Sequence, residues 1–297
     1  MPLKHILILV LVAAAWGLNY VAIKAGLESI PPMMFSALRF FAVLFPAILL
    51  IRKPAVPLWK LALYGMVMFV CQQGLLFSAM HVGLSAGLAS LLFQVQVFFT
   101  IGLAAVFLKD RPRLVQIAGA LVAAGGVAVV GFHTGGEVTL AGLGLLILAA
   151  LSGSAGNVLA RTLGAGVDMF GVVVWASLFA FPPLALLSLA VEGRTVIMQS
   201  FAAMDMTAWL SVAYVAYLTT FMGYALWIRM LAQHSAAAVM PFALLTPVFG
   251  LLGATILLGE AWPAWKLCAT LLIIGGLCLN QLNNVTLLGQ AGGTERR

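Results

Sequence analysis

Ser85–Gly126, SAGLASLLFQVQVFFTIGLAAVFLKDRPRLVQIAGALVAAGG, recurs without a gap as Ser235–Gly276, SAAAVMPFALLTPVFGLLGATILLGEAWPAWKLCATLLIIGG, 150 positions later. Ser85 matches Ser235, Phe99 matches Phe249, Asp110 matches Glu260, and Gly125-Gly126 matches Gly275-Gly276. An earlier stretch repeats at an offset of 138, where Asn19, Ala22 and Gly26 recur as Asn157, Ala160 and Gly164. Few residues are identical, but apolar blocks and breakers keep their order. Each half holds five apolar blocks long enough to cross a bilayer. Five is odd, so the second copy must cross in the opposite sense. Two inverted copies with a site between them is a plan used by secondary transporters.

Composition names the solvent. The chain is 64% apolar and 8% charged, where a soluble domain carries about 25% charged residues. Its mean hydropathy is +1.14. So few polar residues cannot cover so large an apolar core, and the lipid bilayer has to do it. The net charge of +7 is spread over loops without a long basic run. It reads as membrane topology, and no nucleic-acid partner is implied. Cys71, Cys268 and Cys278 all fall in apolar blocks without a CxxC. They imply neither a disulfide framework nor a metal site, and no cofactor motif occurs.

Ten blocks of about 20 residues qualify as spans: Ile6–Lys24, Met33–Ile51, Leu61–Met80, Ala86–Leu108, Leu114–Phe132, Leu140–Ala160, Phe170–Val191, Trp209–Leu231, Ala236–Leu258 and Ala264–Asn283. Met1–Trp16 imitates a signal peptide, but its apolar run is too long and it belongs to a repeated span. The expected organisation is a first repeat over 1–132, a second over 138–284 and a tail over 285–297. Lys4, Arg52, Lys53, Lys60, Lys109, Arg111, Arg113, Arg161, Arg229, Arg296 and Arg297 fall on one side, against Lys24, Arg194 and Lys266 on the other. The positive-inside bias puts the richer side, and both termini, in the cytoplasm.

Trp16-Gly17-Leu18-Asn19 in the first span, Leu38-Arg39-Phe40 in the second, and the repeated units ending Gly125-Gly126 and Gly275-Gly276 resemble the drug/metabolite transporter superfamily, EamA-type branch. The similarity covers about residues 4–284. It implies an all-α membrane protein of ten helices in two inverted five-helix repeats. Residues 16–26, WGLNYVAIKAG, are similar to bacterial exporters of cysteine and O-acetylserine, with aromatic amino-acid exporters close behind. The implied function is export of amino acids or related small metabolites across the bacterial inner membrane, by alternating access around a central cavity. Ser154 stands where a tryptophan matching Trp16 would be expected, so the role of Trp16 is not duplicated.

Polar side chains inside spans need partners, which makes each a candidate for substrate binding. Asn19 and Asn157 are related by the repeat, and an amide can both donate to a carboxylate and accept from an ammonium. The alternative is a bond to a neighbouring helix. Gln94 and Gln96 point to opposite sides of an ideal helix. Gln96 matches Thr246 in the other repeat, which favours Gln96 and Thr246 for the cavity. Pro247 cannot donate the amide N–H that the Ala243 carbonyl would accept in a continuous helix. Of the adjacent Gln72 and Gln73 at least one faces inward, and Gln72 is taken as the candidate. Tyr217, Thr220 and Tyr224 fall at i, i+3 and i+7, one polar-aromatic stripe or a packing face. Trp16 shares a face with Asn19 and either stacks on substrate or fills the core. Arg39 lies about 9 Å below the outer end of its span. It either snorkels to the interface or attracts substrate carboxylate to the outer vestibule.

Absences weigh as much. No Asp or Glu lies within the ten blocks, whereas ion-driven carriers commonly hold one there. A facilitator or exchanger is therefore the economical mechanism. A proton-coupled exporter of drugs or metabolites and an importer are the rivals, since backbone carbonyls can also bind sodium. The four histidines, His5, His81, His133 and His234, are scattered and form no HExxH or HxxxD arrangement, so an enzyme is not expected. Ala118–Gly131 is rich in Ala and Gly, which suits close pairing of the fifth span with the tenth. The same face could serve a homodimer, so monomer and dimer both stay open.

Overall fold

A computed structural model of the chain describes residues 1–136, 138–164 and 166–294. Arg296 and Arg297, counted above with the basic side, lie outside the described residues. Ten helices are long and apolar enough to cross a membrane. We label them α1 (Leu3–Gly26), α2 (Pro32–Leu50), α3 (Leu58–His81), α4 (Ala86–Phe107), α5 (Leu114–Phe132), α6 (Leu140–Arg161), α7 (Met169–Glu192), α8 (Met206–Gln233), α9 (Met240–Leu258) and α10 (Ala264–Gln281). The α10 helix continues to Thr294. A short surface helix, Arg194–Ala203, bridges α7 and α8. Among the described residues the only β pairing is two isolated bridges.

Local sequence sets the helix starts. Pro32 occupies the first turn of α2, where its missing N–H costs nothing. Ser85 caps α4, Thr139 accepts from Gly142 N at 3.0 Å in α6, and Asp205 accepts from Ala208 N at 2.8 Å in α8. Six spans are not continuous α-helix: α2 breaks between Leu44 and Ala47, α7 ends in a π turn over Ser188–Glu192, and four others are interrupted within the span. Residues Gly65–Cys71 of α3 and Tyr214–Met222 of α8 are π-helical, at matching positions of the two repeats. Phe93–Val95 of α4 and Met240–Leu244 of α9 form tight 3₁₀ turns, again at matching positions. The ninth span, expected as one helix from Ala236, therefore starts in the structure at Met240 after a separate turn over Ala236–Val239. Pro241 and Pro247 account for the break, since neither can donate into the helix ladder.

The α5–α10 contact shows the inversion. A Cβ on Gly119 would lie 2.6 Å from Gly276 O, and one on Gly126 would lie 3.0 Å from Ala269 O. Gly119 and Ala269 are repeat mates, as are Gly126 and Gly276. The same contact is thus made twice, with the chains running in opposite directions. Small residues let the backbones come this close. The core forms a large cluster around Phe35, Phe77 and Leu88, a second around Phe40, Tyr64 and Phe69, and a third around Leu9, Trp227 and Met230.

Candidate functional site: a central cavity with a buried arginine

Between α1, α2, α3, α4, α8 and α9 lies a cavity of about 250 Å³. Trp16, Asn19, Tyr20, Arg39, Gln73, Leu76, Phe93, Gln94, Thr219, Tyr224, Ala243 and Thr246 line it. The volume falls below the ~300–1,000 Å³ of drug-sized sites. The wall mixes amides, hydroxyls and aromatic rings around one permanent cation.

Arg39 is 7% exposed. Its Nη1 donates to Gln73 Oε1 at 2.6 Å and its Nη2 to Thr220 Oγ1 at 2.9 Å. Nε has no acceptor. The guanidinium carbon lies 5.3 Å from the Phe40 ring centre. The ion pairs seen among the described residues, Arg161–Asp110 and Lys266–Glu260, lie elsewhere. Among the described residues no carboxylate meets Arg39. A charge at this depth is costly, and two neutral acceptors offset only part of that cost. The expectation of a snorkelling or vestibule arginine is corrected here. Hydrogen bonds from α3 and α8 pull the side chain inward, into the cavity itself.

Around it, Trp16 Nε1 donates to Thr219 O at 3.0 Å, and its ring packs 5.8 Å from Tyr224 and 5.0 Å from Trp227. The Thr219 hydroxyl lies 3.1 Å from Asn19 Oδ1. Trp16, Asn19, Arg39, Tyr224 and Thr246 of the sequence-derived candidates thus share one cavity, with Thr220 behind Arg39.

Other candidates lie elsewhere. Gln72 is buried and donates to Gln96 Oε1 at 2.8 Å, while Ser154 Oγ lies 2.9 Å from Gln96 O. Asn157 Nδ2 donates to Thr100 Oγ1 at 3.2 Å. These form a separate polar layer joining α3, α4 and α6. Tyr217 is 46% exposed and is not among the residues that line the cavity. Gln73, Gln94 and Thr219 take the cavity positions assigned from sequence to Gln72, Gln96 and Tyr217. Helical phase accounts for Tyr217, which lies in a π segment that turns less per residue than an α-helix. Gln96 was favoured by its match to Thr246, and these two repeat mates face different surroundings. Tyr20 and Phe93 carried no polar-periodic signal and were missed.

Glu192, at the end of α7, accepts from Met33 N at 2.6 Å and Met34 N at 3.1 Å, closing onto the start of α2. The histidines are not all apart: His5 Nδ1 and His234 Nε2 lie 2.7 Å from each other. No group of three or more His, Cys, Asp or Glu side chains among the described residues could hold a metal.

The EamA-like transporter family profile matches residues 3–132 and again 140–281. The chain belongs to this family. The two matches coincide with the two five-helix halves of this EamA transporter. It is 38% identical to a "Probable amino-acid metabolite efflux pump" of Salmonella typhimurium, over 91% of this chain and 92% of that protein. It is 36% identical to an Escherichia coli K12 protein of the same description, over 94% and 95%. A "Probable terminal-alkyne amino-acid exporter" of Streptantibioticus cattleyicolor is 31% identical over 96% and 95%. A crystal structure 21% identical in sequence matches the fold with a TM-score of 0.63, covering 97% of this chain and 99% of that one. The EamA transporter is therefore a multi-pass protein of the bacterial inner membrane that moves small molecules.

Proposed function

We propose that this transporter exports amino acids or closely related metabolites from the cytoplasm, as a facilitator or exchanger working by alternating access. The observation that carries this reading is Arg39. Its guanidinium is buried in a small cavity with two neutral acceptors and, among the described residues, no carboxylate partner. A substrate carboxylate would supply the missing charge in a strong, charge-assisted contact. The Tyr20, Tyr224 and Trp16 faces offer an apolar and cation-attracting surface to the remainder of the molecule. The cavity volume favours an amino acid over a drug. The descriptions of the relatives at 31–38% identity point the same way.

Glu192 and Glu260, like the cap residues Asp168 and Asp205, sit at span ends and are held by helix N–H groups. This supports exchange over coupling to a proton or sodium ion. The test is counterflow of labelled cysteine, O-acetylserine, phenylalanine and threonine in proteoliposomes, with and without imposed gradients. Saturable exchange at similar rates in both conditions is expected. Concentrative uptake that needs a gradient, or no exchange of any of the four, would contradict the reading. The positive-inside bias also predicts cytoplasmic termini. Reporter fusions after Arg111 and Gly166 should read as cytoplasmic, and fusions after Ser29 and Pro263 as external.

A further inference from the structure

The two repeats place a carboxylate at the same local position and use it differently. Lys109 and Gly259 are repeat mates, and both take a left-handed turn, with φ of 58° and 69°. The next residue closes that turn with the same backbone bond, Asp110 N to Ala104 O at 3.3 Å and Glu260 N to Ala254 O at 3.2 Å. Beyond the backbone the two diverge. Glu260 reaches the start of α4, accepting from Ser85 Oγ at 2.8 Å and Gly87 N at 3.2 Å, with Lys266 Nζ at 3.0 Å. Behind this clasp the end of α9 is packed tight, with Leu251 and Ala254 at 3% and 1% exposure.

Asp110 does none of this. It pairs with Arg161 at 2.6 Å and is half exposed. Ser235, the mate of Ser85, is exposed, and its hydroxyl has no hydrogen bond among the described residues. Ile101 and Ala104, the mates of Leu251 and Ala254, border a hollow of about 400 Å³ together with Asp110. His234, just before Ser235, is tied instead to His5 at the start of α1. A hollow of about 290 Å³ also borders Ser85 and Glu260, so the difference between the two faces is the clasp itself: Glu260 holds the start of α4, while Asp110 pairs with Arg161 instead.

We propose that Asp110 and Glu260 are alternating gate residues of the transport cycle. This structure is the state closed at the Glu260 face. In the opposite state Asp110 leaves Arg161 and caps the Ala236–Val239 turn that precedes α9, at Ser235 and Ala237, while Glu260 releases Ser85 and Gly87. A carrier built from inverted repeats reaches its second state by rearranging one repeat against the other, so the difference between halves within one state marks what must change. Each cap places a carboxylate on helix N–H groups, a favourable electrostatic contact that is lost on opening. Side-chain lengths are matched to the exchange: the longer Glu260 meets Gly87, where a Cβ would stand 2.8 Å from its carboxylate, and the shorter Asp110 has Ala237 at the matching position. The proposal rests on the transporter family and not on the identity of the substrate.

The test reads which face reaches the cavity and needs no substrate. In a background with Cys71, Cys268 and Cys278 replaced by Ala, an Ala243→Cys reporter is labelled in oriented membranes with an impermeant thiol reagent. The parent should label from the Asp110 face. Glu260→Gln, and the milder Ser85→Ala, should each raise labelling from the Glu260 face by about tenfold, the shift expected when one state loses a single clasp. Asp110→Asn should lower labelling from the Glu260 face, and the double variant Asp110→Asn/Glu260→Gln should return close to the parent. A purely structural clasp would lower the melting temperature and leave sidedness unchanged. That outcome, or Asp110→Asn and Glu260→Gln shifting sidedness in the same direction, would overturn the proposal.

Discussion

Two walls of this molecule descend from one repeated unit and have come to do different things. The first joins α1 to α8 and α9 through Trp16, Asn19, Thr219, Tyr224 and Thr246, and it opens onto the cavity. Its repeat counterpart joins α6 to α3 and α4 through Ser154, Asn157, Gln72, Gln96 and Thr100, and it closes on itself. Asn19 and Asn157 are mates, yet only Asn19 lines the cavity. Thr246 and Gln96 are mates, yet Gln96 spends its oxygen on Gln72. Gly153 explains much of the closure, because a Cβ there would stand 2.7 Å from Gln96 Oε1. Duplication supplied the frame, and the side chains then made one copy a wall of the cavity and the other a seam.

The largest expected effect separates Arg39 from both walls. Arg39→Gln should lower transport by about 100-fold, since a hydrogen bond to a charged group contributes ~1.5–3 kcal/mol and the cation also has no substitute. Arg39→Lys should fall between, because a lysine supplies charge without the planar fork. Uptake normalised to inserted protein checks both. Transport by Arg39→Gln at the parent rate would remove the cation from the account.

Gly153→Ala probes the seam. Overpacking there should destabilise the protein by ~1–3 kcal/mol, seen as a lower melting temperature in detergent. Apparent affinity in the folded fraction should stay within about twofold. An affinity loss without a melting change would mean that the seam also binds substrate.

The asparagines sharpen the comparison further. Asn19→Ala should weaken apparent affinity by about tenfold, equivalent to ~1.4 kcal/mol, with a small effect on melting. Asn157→Ala should show the reverse pattern. Equal behaviour of the two variants would erase the distinction between wall and seam. The smallest effect belongs to Tyr217→Leu. The side chain is exposed and does not line the cavity, so transport and melting should both stay close to the parent, within about 0.5 kcal/mol of stability.

Much of the frame was legible in the sequence because apolar length, breakers and the repeat survive any local irregularity. Ten spans, their inversion and the α5–α10 contact follow from those signals alone. Arg39 was visible as an oddity, but its depth was not, because snorkelling and burial look identical until the acceptors Gln73 and Thr220 are in place. The inward-facing residues of α3, α4 and α8 were misread for different reasons. Tyr217 was placed by ideal α-helical spacing and lies in a π segment, Gln96 was favoured by its match to Thr246, and Gln72 was taken over its neighbour Gln73 with no signal to separate them. Neither the π segments nor the 3₁₀ turn at Phe93–Val95 had a marker in the sequence. The turn at Met240–Leu244 had one in Pro241 and Pro247.

The central claim is that Arg39 receives a substrate carboxylate. Its most direct measurement is competition by an amino acid and by its uncharged-end analogue, the amino-acid amide, against a transported substrate in parent and Arg39→Gln proteoliposomes. The parent should prefer the free amino acid by at least tenfold, and Arg39→Gln, assayed on whatever residual exchange it retains, should show little preference. A preference that survives unchanged in Arg39→Gln would contradict the account, because the carboxylate would then be recognised elsewhere.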